Sequence, residues 1–196
     1  LIFSTAKNWS DVDPSWPAEP IQRFSPGTDS GTFDYFVEGV MNPTYVKDAT
    51  ADKGKGEEAI LAAENIQFSE DDNVLVQGIE GNRYALGYIP FAYYAPNANR
   101  MKALAIDWER DQHGPVLPSM ENVLQGIYNP LSRPLFIYVN RKAAERPEVK
   151  EFVEFYLKRG AELVAEVKYL PLPAKAYEMA GIGPGVTVLD LCCGVA

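Results

Sequence analysis

A short strand, a loop of small residues and an amphipathic helix follow one another early in the chain, and this order constrains the fold most. Residues 21–24 are typical of a strand, and residues 25–32 hold two glycines, one proline and four hydroxyl side chains. Apolar residues then recur at helical spacing and form one helix face, made of Phe33, Phe36, Val37 and Val40. Strand–loop–helix units of this kind build α/β proteins.

The rest of the chain alternates between candidate strands and candidate helices. The strands are expected at residues 85–89, 103–106 and 135–139, and the helices at 73–79, 121–126 and 147–160. In the last helix the apolar face is expected to contain Val149, Phe152, Val153 and Tyr156. The alternation predicts an α/β fold with a largely parallel sheet flanked by helices. Pro43 is expected to end the first helix, and the polar residues 44–70 are expected to form an exposed insertion.

Composition excludes several classes of function. The formal charge of −9 over 196 residues repels nucleic acid and offers no basic stripe for a phosphate backbone. The chain has one histidine, His113, and its two cysteines, Cys192 and Cys193, both stand at the end, which excludes a Cys–His or a His-rich metal site. No segment approaches the roughly 20 apolar residues of a membrane span. Because the chain does not begin with Met, we expect the natural N-terminus and any targeting signal to lie upstream.

The loop before the first helix has the chemistry of an oxyanion cradle. A helix start leaves about four backbone N–H groups without partners and carries partial positive charge. Gly27 and Gly31 allow an anion to approach the backbone, and Ser30 and Thr32 add hydroxyl donors. Alternatively, Thr28, Asp29 or Ser30 simply caps the helix. An ionised Asp29 could also accept the proton of a protonated phosphate oxygen.

The triplet Ser30-Gly31-Thr32 within residues 26–36 resembles the phosphate-binding motif of type II periplasmic binding proteins. Further segments resemble the same family in the same order, and together they cover residues 7–180: residues 8–17, 69–78, 85–94, 130–139, 148–160 and 169–173. The chain is therefore identified as resembling a phosphate-binding protein of an ABC-type importer.

The resemblance implies a division of the chain and a function. Residues 1–129 would form the second lobe of a two-lobed protein, and residues 130–180 would be the hinge strand and the returning C-terminal piece of the first lobe. The cleft would bind inorganic phosphate through Ser30, Gly31 and Thr32, with Thr28 and Asp29 beside them. The family implies a periplasmic or extracytoplasmic monomer that docks on the membrane permease subunits, without enzymatic activity and without a cofactor.

One family feature is missing from its usual place. Many members have an arginine six residues before the threonine of the triplet, where it clamps phosphate oxygens. This chain has Pro26 there. The resemblance leaves Arg23, Arg133 or the missing N-terminal half as the source of the guanidinium, and for Arg133 a hinge or surface role is also open.

Residues 181–196 resemble a different family. They are similar to the first motif of class I S-adenosylmethionine-dependent methyltransferases, although Ala196 stands where the last glycine is expected. Two alternatives to phosphate binding follow. The chain could be part of a methyltransferase fusion, or the lobe could bind another oxyanion such as a phosphonate or molybdate.

Overall fold

The computed structural model describes residues 1–45, 54–167, 169–172 and 188–195, and for Tyr45 and residues 188–195 it describes the backbone alone. Contacts divide the chain into two compact units, Leu1–Lys102 and Ala103–Val195. The boundary between the units therefore lies earlier in the chain than the boundary predicted after residue 129. The assignment of the units to lobes stays a prediction.

The first unit is built on a three-stranded parallel sheet. Its strands are β1 (Gln22–Pro26), β2 (Ile66–Ser69) and β3 (Ala85–Gly87), in the order β2-β1-β3. Both neighbours pair with β1 in parallel. Four consecutive residues of β1 are buried, as expected of a central strand covered on both faces. The predicted α/β class is confirmed.

The predicted strand–loop–helix unit is present, but its helix is longer than expected. Helix α1 (Gly31–Phe36) continues through a π-helical turn (Val37–Met41) into α2 (Asn42–Tyr45), so Pro43 does not end it. The N–H of Asn42 donates to the carbonyl of Val37, five residues back. This widened turn just before Pro43 is the reason that a residue without an N–H is tolerated there.

The expectation of an exposed insertion is wrong for the described residues 54–69. They form helix α3 (Lys55–Leu61) and strand β2, which pairs with β1 from Arg23↔Ile66 to Pro26↔Ser69. Ile60 is fully buried. The helix and the strand were not recognised in this polar sequence because a short edge strand and one helix face need few apolar residues.

Helix α4 (Asp72–Gly81) follows β2 and packs on the sheet. Asp71 is its N-cap, and its carboxylate accepts from the N–H of Asn73. Leu75 and Val76 are buried. After β3, the chain turns through Pro90 into the short helix α5 (Phe91–Tyr94).

The second unit pairs its strands antiparallel. Strands β4 (Ile106–Asp107) and β5 (Pro115–Val116) form a hairpin, and helix α6 (Met120–Leu124) follows. The other strands form a sheet in the order β6-β8-β7, namely β6 (Ser132–Tyr138), β7 (Leu170–Pro171) and β8 (Val188–Val195). Of the predicted methyltransferase-like tail, residues 181–187 and 196 lie outside the described residues, and the backbone of the remainder is β8.

Helix α7 (Pro147–Glu166) covers one face of this sheet. Its buried residues Val153, Leu157 and Val164 pack against Leu135, Ile137 and Val139. The predicted apolar face was partly wrong, since 63% of Phe152 is exposed. The buried residues of the helix are Val153, Leu157, Gly160 and Val164, which are four, three and four residues apart and so lie on one face.

Candidate functional site: an oxyanion loop

The candidate loop lies at the carboxyl edge of the parallel sheet. Strands β1 and β2 end side by side, with Pro26 opposite Ser69, and the N–H of Gly27 donates to the Ser69 carbonyl at 2.9 Å. The segments after both strands therefore start from the same edge. In open α/β sheets this is the edge where ligands bind.

The loop turns tightly into α1. The N–H of Ser30 donates to the Gly27 carbonyl at 3.0 Å, and the side-chain oxygen of Ser30 accepts from the N–H of Thr32 at 3.2 Å. Ser30 is thus the N-cap, one of the two roles that the sequence left open. Thr28, Asp29 and Gly31 are exposed. Ser30 and Thr32 are half-buried, so solvent reaches the loop from one side.

Aromatic packing holds the start of the helix on the sheet. The Phe33 ring meets the Phe68 ring edge-on at 6.1 Å between centroids, and Phe36 stacks on Tyr88 at 3.9 Å. Phe33 and Phe36 are both buried. The loop is therefore supported by aromatic contacts between the helix, β2 and the residue that follows β3.

A buried hydroxyl pair lies beneath the loop. The Ser25 hydroxyl donates to the Pro26 carbonyl at 2.9 Å and lies 2.7 Å from the Tyr88 hydroxyl, so Tyr88 is the donor between the two side chains. Burial raises the pKa of Tyr88 well above its usual value, with the Ser25 contact acting in the opposite direction. The phenol stays neutral and keeps donating at physiological pH.

Glu70 is the residue of this edge that the sequence reasoning missed. Its Oε1 accepts from the N–H of Asp29 at 3.3 Å. It also lies over Gly27, where an added Cβ would come within 1.7 Å of the same oxygen. Recognising β2 in the sequence would have revealed it, because the register of β1 and β2 places Ser69-Glu70 beside Pro26-Gly27.

Two further acids follow Glu70 and add negative charge to the same edge. Asp71 caps α4, and its carboxylate also accepts from the side chain of Asn73 at 2.9 Å. Burial raises the pKa of Asp72, and the neighbouring carboxylates of Asp71 and Glu70 add to the rise. The loop that the sequence predicts to hold an anion is thus bordered by carboxylates.

Arg23 does not supply the predicted guanidinium clamp. It is 1% exposed, and its guanidinium donates to the backbone carbonyls of Ile2, Ala6, Ile21 and Glu64. These contacts turn the side chain toward the N-terminal segment, and a guanidinium engaged by four carbonyls cannot also hold phosphate oxygens in a fork. Its role is to connect residues 2–6 and the segment before β2 to β1.

Arg133, the other candidate clamp, lies in the second unit. It is a half-buried residue of β6, in register with Gly194 of β8. Its part in binding phosphate stays a prediction.

Two further findings concern metal binding and membrane spans. Within the described ranges, no three His, Cys, Asp or Glu side chains are grouped in a way that could hold a metal ion. None of the helices in the same ranges combines the length and apolarity that crossing a membrane requires.

The fold and the loop place the chain in a known class. The family model described as "PBP superfamily domain" matches residues 1–159, and the chain belongs to this superfamily. Protein SphX of Synechococcus elongatus is 44% identical over 173 residues, which are 88% of this chain and 46% of that protein. Protein SphX of Synechocystis is 41% identical over 97% of this chain and 54% of its own length.

Phosphate-binding proteins are among the other similar proteins. The phosphate-binding protein PstS of Staphylococcus haemolyticus is 34% identical, over 88% of this chain and 48% of its own length. A crystal structure of a possible phosphate-binding protein from Planctomyces limnophilus is 37% identical, with a TM-score of 0.66 over 89% of this chain and 56% of that one. The chain spans about half the length of the curated relatives it matches.

Proposed function

We propose that this chain is the part of a periplasmic or extracytoplasmic binding protein that holds inorganic phosphate for an ABC-type importer. The start of α1 at Ser30-Gly31-Thr32, at the carboxyl edge of the sheet, carries the proposal. Support comes from relatives named as phosphate-binding proteins. The protein would act as a monomer that passes phosphate to the membrane permease, and it would be a binding protein rather than an enzyme.

The hydroxyl and amide groups of the triplet have distinct roles in this proposal. In the structure the Ser30 side-chain oxygen accepts a hydrogen bond from the N–H of Thr32. A phosphate oxygen would replace it there, and the Ser30 hydroxyl would rotate to donate to the ligand. The Thr32 hydroxyl would add a second donor, while Thr28 and Asp29 lie on the exposed side of the loop. Because one hydrogen bond is exchanged for another, we expect weak binding by this chain alone.

The remaining residues would complete a two-lobed protein. We propose that residues 1–129 belong to the second lobe and that residues 130–180 contribute to the first. The chain spans about half of its relatives, and the other side of the cleft would come from the part of the family that lies outside this match.

The test is a titration of the full chain with inorganic phosphate, followed through amide signals in NMR spectra, which detect millimolar binding and locate it. We expect saturable shifts in residues 28–32. We expect the double variant Ser30→Ala/Thr32→Val to weaken binding at least tenfold, because both hydroxyl donors are lost while the shape of Thr32 is kept.

The matched control is Ser119→Ala, which removes the N-cap hydroxyl of α6, a similar cap in the second unit. It should leave phosphate binding unchanged. A well-dispersed spectrum with no saturable shift, or with shifts confined to other residues, would contradict the proposal. Shifts with molybdate or a phosphonate but not with phosphate would indicate a different oxyanion.

A further inference from the structure

The peptide unit between Pro26 and Gly27, where the loop begins, is hydrogen-bonded at both of its polar groups. Its carbonyl, that of Pro26, accepts from the Ser25 hydroxyl at 2.9 Å. Its N–H, that of Gly27, donates to the Ser69 carbonyl at 2.9 Å. The two groups of a trans peptide point in opposite directions. The N–H therefore holds the peptide to β2, and the serine hydroxyl holds the carbonyl on the opposite side, which is the side of β3.

This peptide needs such an anchor because its own backbone does not fix its orientation. The ring of Pro26 locks the φ angle of that residue but leaves its ψ angle free, and Gly27 has no Cβ to restrict the following φ angle. Rotation about these two bonds turns the peptide plane. The next turn depends on the result, because the carbonyl of Gly27 accepts from the N–H of Ser30, the N-cap of α1.

Tyr88 sets the direction of the Ser25 hydroxyl. A serine hydroxyl carries one proton and rotates toward whichever acceptor is available. The Tyr88 hydroxyl lies 2.7 Å from Ser25 Oγ and donates to it, so the serine proton is directed at Pro26. Both residues are buried, which keeps bulk water away from the pair. The Tyr88 ring is itself held in place, since Phe36 stacks on it and Phe3 meets it edge-on at 5.4 Å between centroids.

We propose that Ser25 and Tyr88 are positioning residues for phosphate, because their hydroxyls hold the Pro26–Gly27 peptide in the orientation from which the turn to Ser30 is built. This inference rests on the proposed function. The two hydroxyls lie beneath the loop and act through its backbone, not on the ligand. A loop that is already held in its binding orientation loses less conformational entropy when the anion binds, so its affinity is higher.

A purely structural role for this hydroxyl pair has different consequences. Loss of a buried hydrogen bond lowers the stability of the fold wherever the bond lies. The affinity of the folded protein for phosphate falls only if the orientation of the loop depends on that bond. Affinities measured well below the unfolding temperature of each variant therefore separate the two roles.

The experiment is an NMR titration of the full chain with inorganic phosphate, and the second readout is hydrogen exchange at the buried Gly27 amide. For Ser25→Ala we expect binding to weaken about tenfold and Gly27 exchange to become faster, because the Pro26 carbonyl loses its donor. Tyr88→Phe keeps the ring and leaves Ser25 able to donate, so we expect about threefold weaker binding. The double variant Ser25→Ala/Tyr88→Phe should bind no more weakly than Ser25→Ala, because the two hydroxyls act in one chain.

The control is Ile60→Val, which removes one methyl group from a fully buried residue of α3 and lowers stability without changing the hydroxyl pair. Its affinity for phosphate should match that of the wild type. If Ser25→Ala binds within twofold of the wild type, or if its Gly27 exchange is unchanged, the inference fails while phosphate binding stands. Should Ser25→Ala not fold, Tyr88→Phe with wild-type affinity would overturn the inference equally. If the wild type shows no saturable response to phosphate, the proposed function fails and this inference falls with it.

Discussion

At the scale of single residues, Arg23 shows how the surroundings of a side chain decide its function. Burial lowers the pKa of its guanidinium from the usual value, and the Glu64 carboxylate acts in the opposite direction. Its hydrogen bonds go to backbone carbonyls, including those of Ile2 and Ala6. A cation buried in this way stabilises the fold, because its hydrogen bonds to four carbonyls offset the cost of removing it from water.

We therefore predict that Arg23→Met lowers the free energy of unfolding by about 3 kcal/mol, since two buried and two partly buried carbonyls lose the guanidinium as a donor. Urea denaturation followed by tryptophan fluorescence measures this change. The control Arg83→Met removes an exposed arginine and should cost less than about 1 kcal/mol. Near-normal stability of Arg23→Met together with loss of phosphate binding would restore the clamp role to Arg23.

At the scale of elements, α3 and β2 differ most from the sequence expectation. We predict that Ile60→Ala lowers the free energy of unfolding by about 3 kcal/mol, because Ile60 is fully buried. The adjacent Leu61 is 46% exposed, so Leu61→Ala should cost less than about 1 kcal/mol. Urea denaturation of both variants tests the assignment. Equal and small losses would mean that the segment is an exposed insertion after all.

Sequence patterns predicted the features whose interactions lie within a short stretch of the chain. The strand–loop–helix unit and the helix that follows Asp71 could be predicted, because their signals lie within a few residues of one another. Glu70 could not, because its place at the loop depends on the pairing of two strands more than 40 residues apart, Pro26 with Ser69. The same holds for Arg23, whose partners come from distant parts of the chain.

At the scale of the whole molecule, the position of the unit boundary determines which part of the chain carries the site. Contacts divide the chain after Lys102, whereas the family resemblance predicted a boundary after residue 129. The sheet, the loop and Glu70 all lie before Lys102. The described contacts of the loop, including the aromatic support of α1, come from the same range. The first unit therefore contains everything that the structure shows around the loop.

Limited trypsin digestion distinguishes the two boundaries. We predict early cleavage at Lys102, which is exposed at the end of the first unit, and a protected fragment of residues 1–102 by mass spectrometry. That fragment, purified, should give the same phosphate-dependent shifts in residues 28–32 as the full chain, because the contacts that shape the loop are retained. A boundary after residue 129 would instead yield early cleavage at Arg141 or Lys142, both exposed beyond β6, and a protected fragment that extends past Lys102.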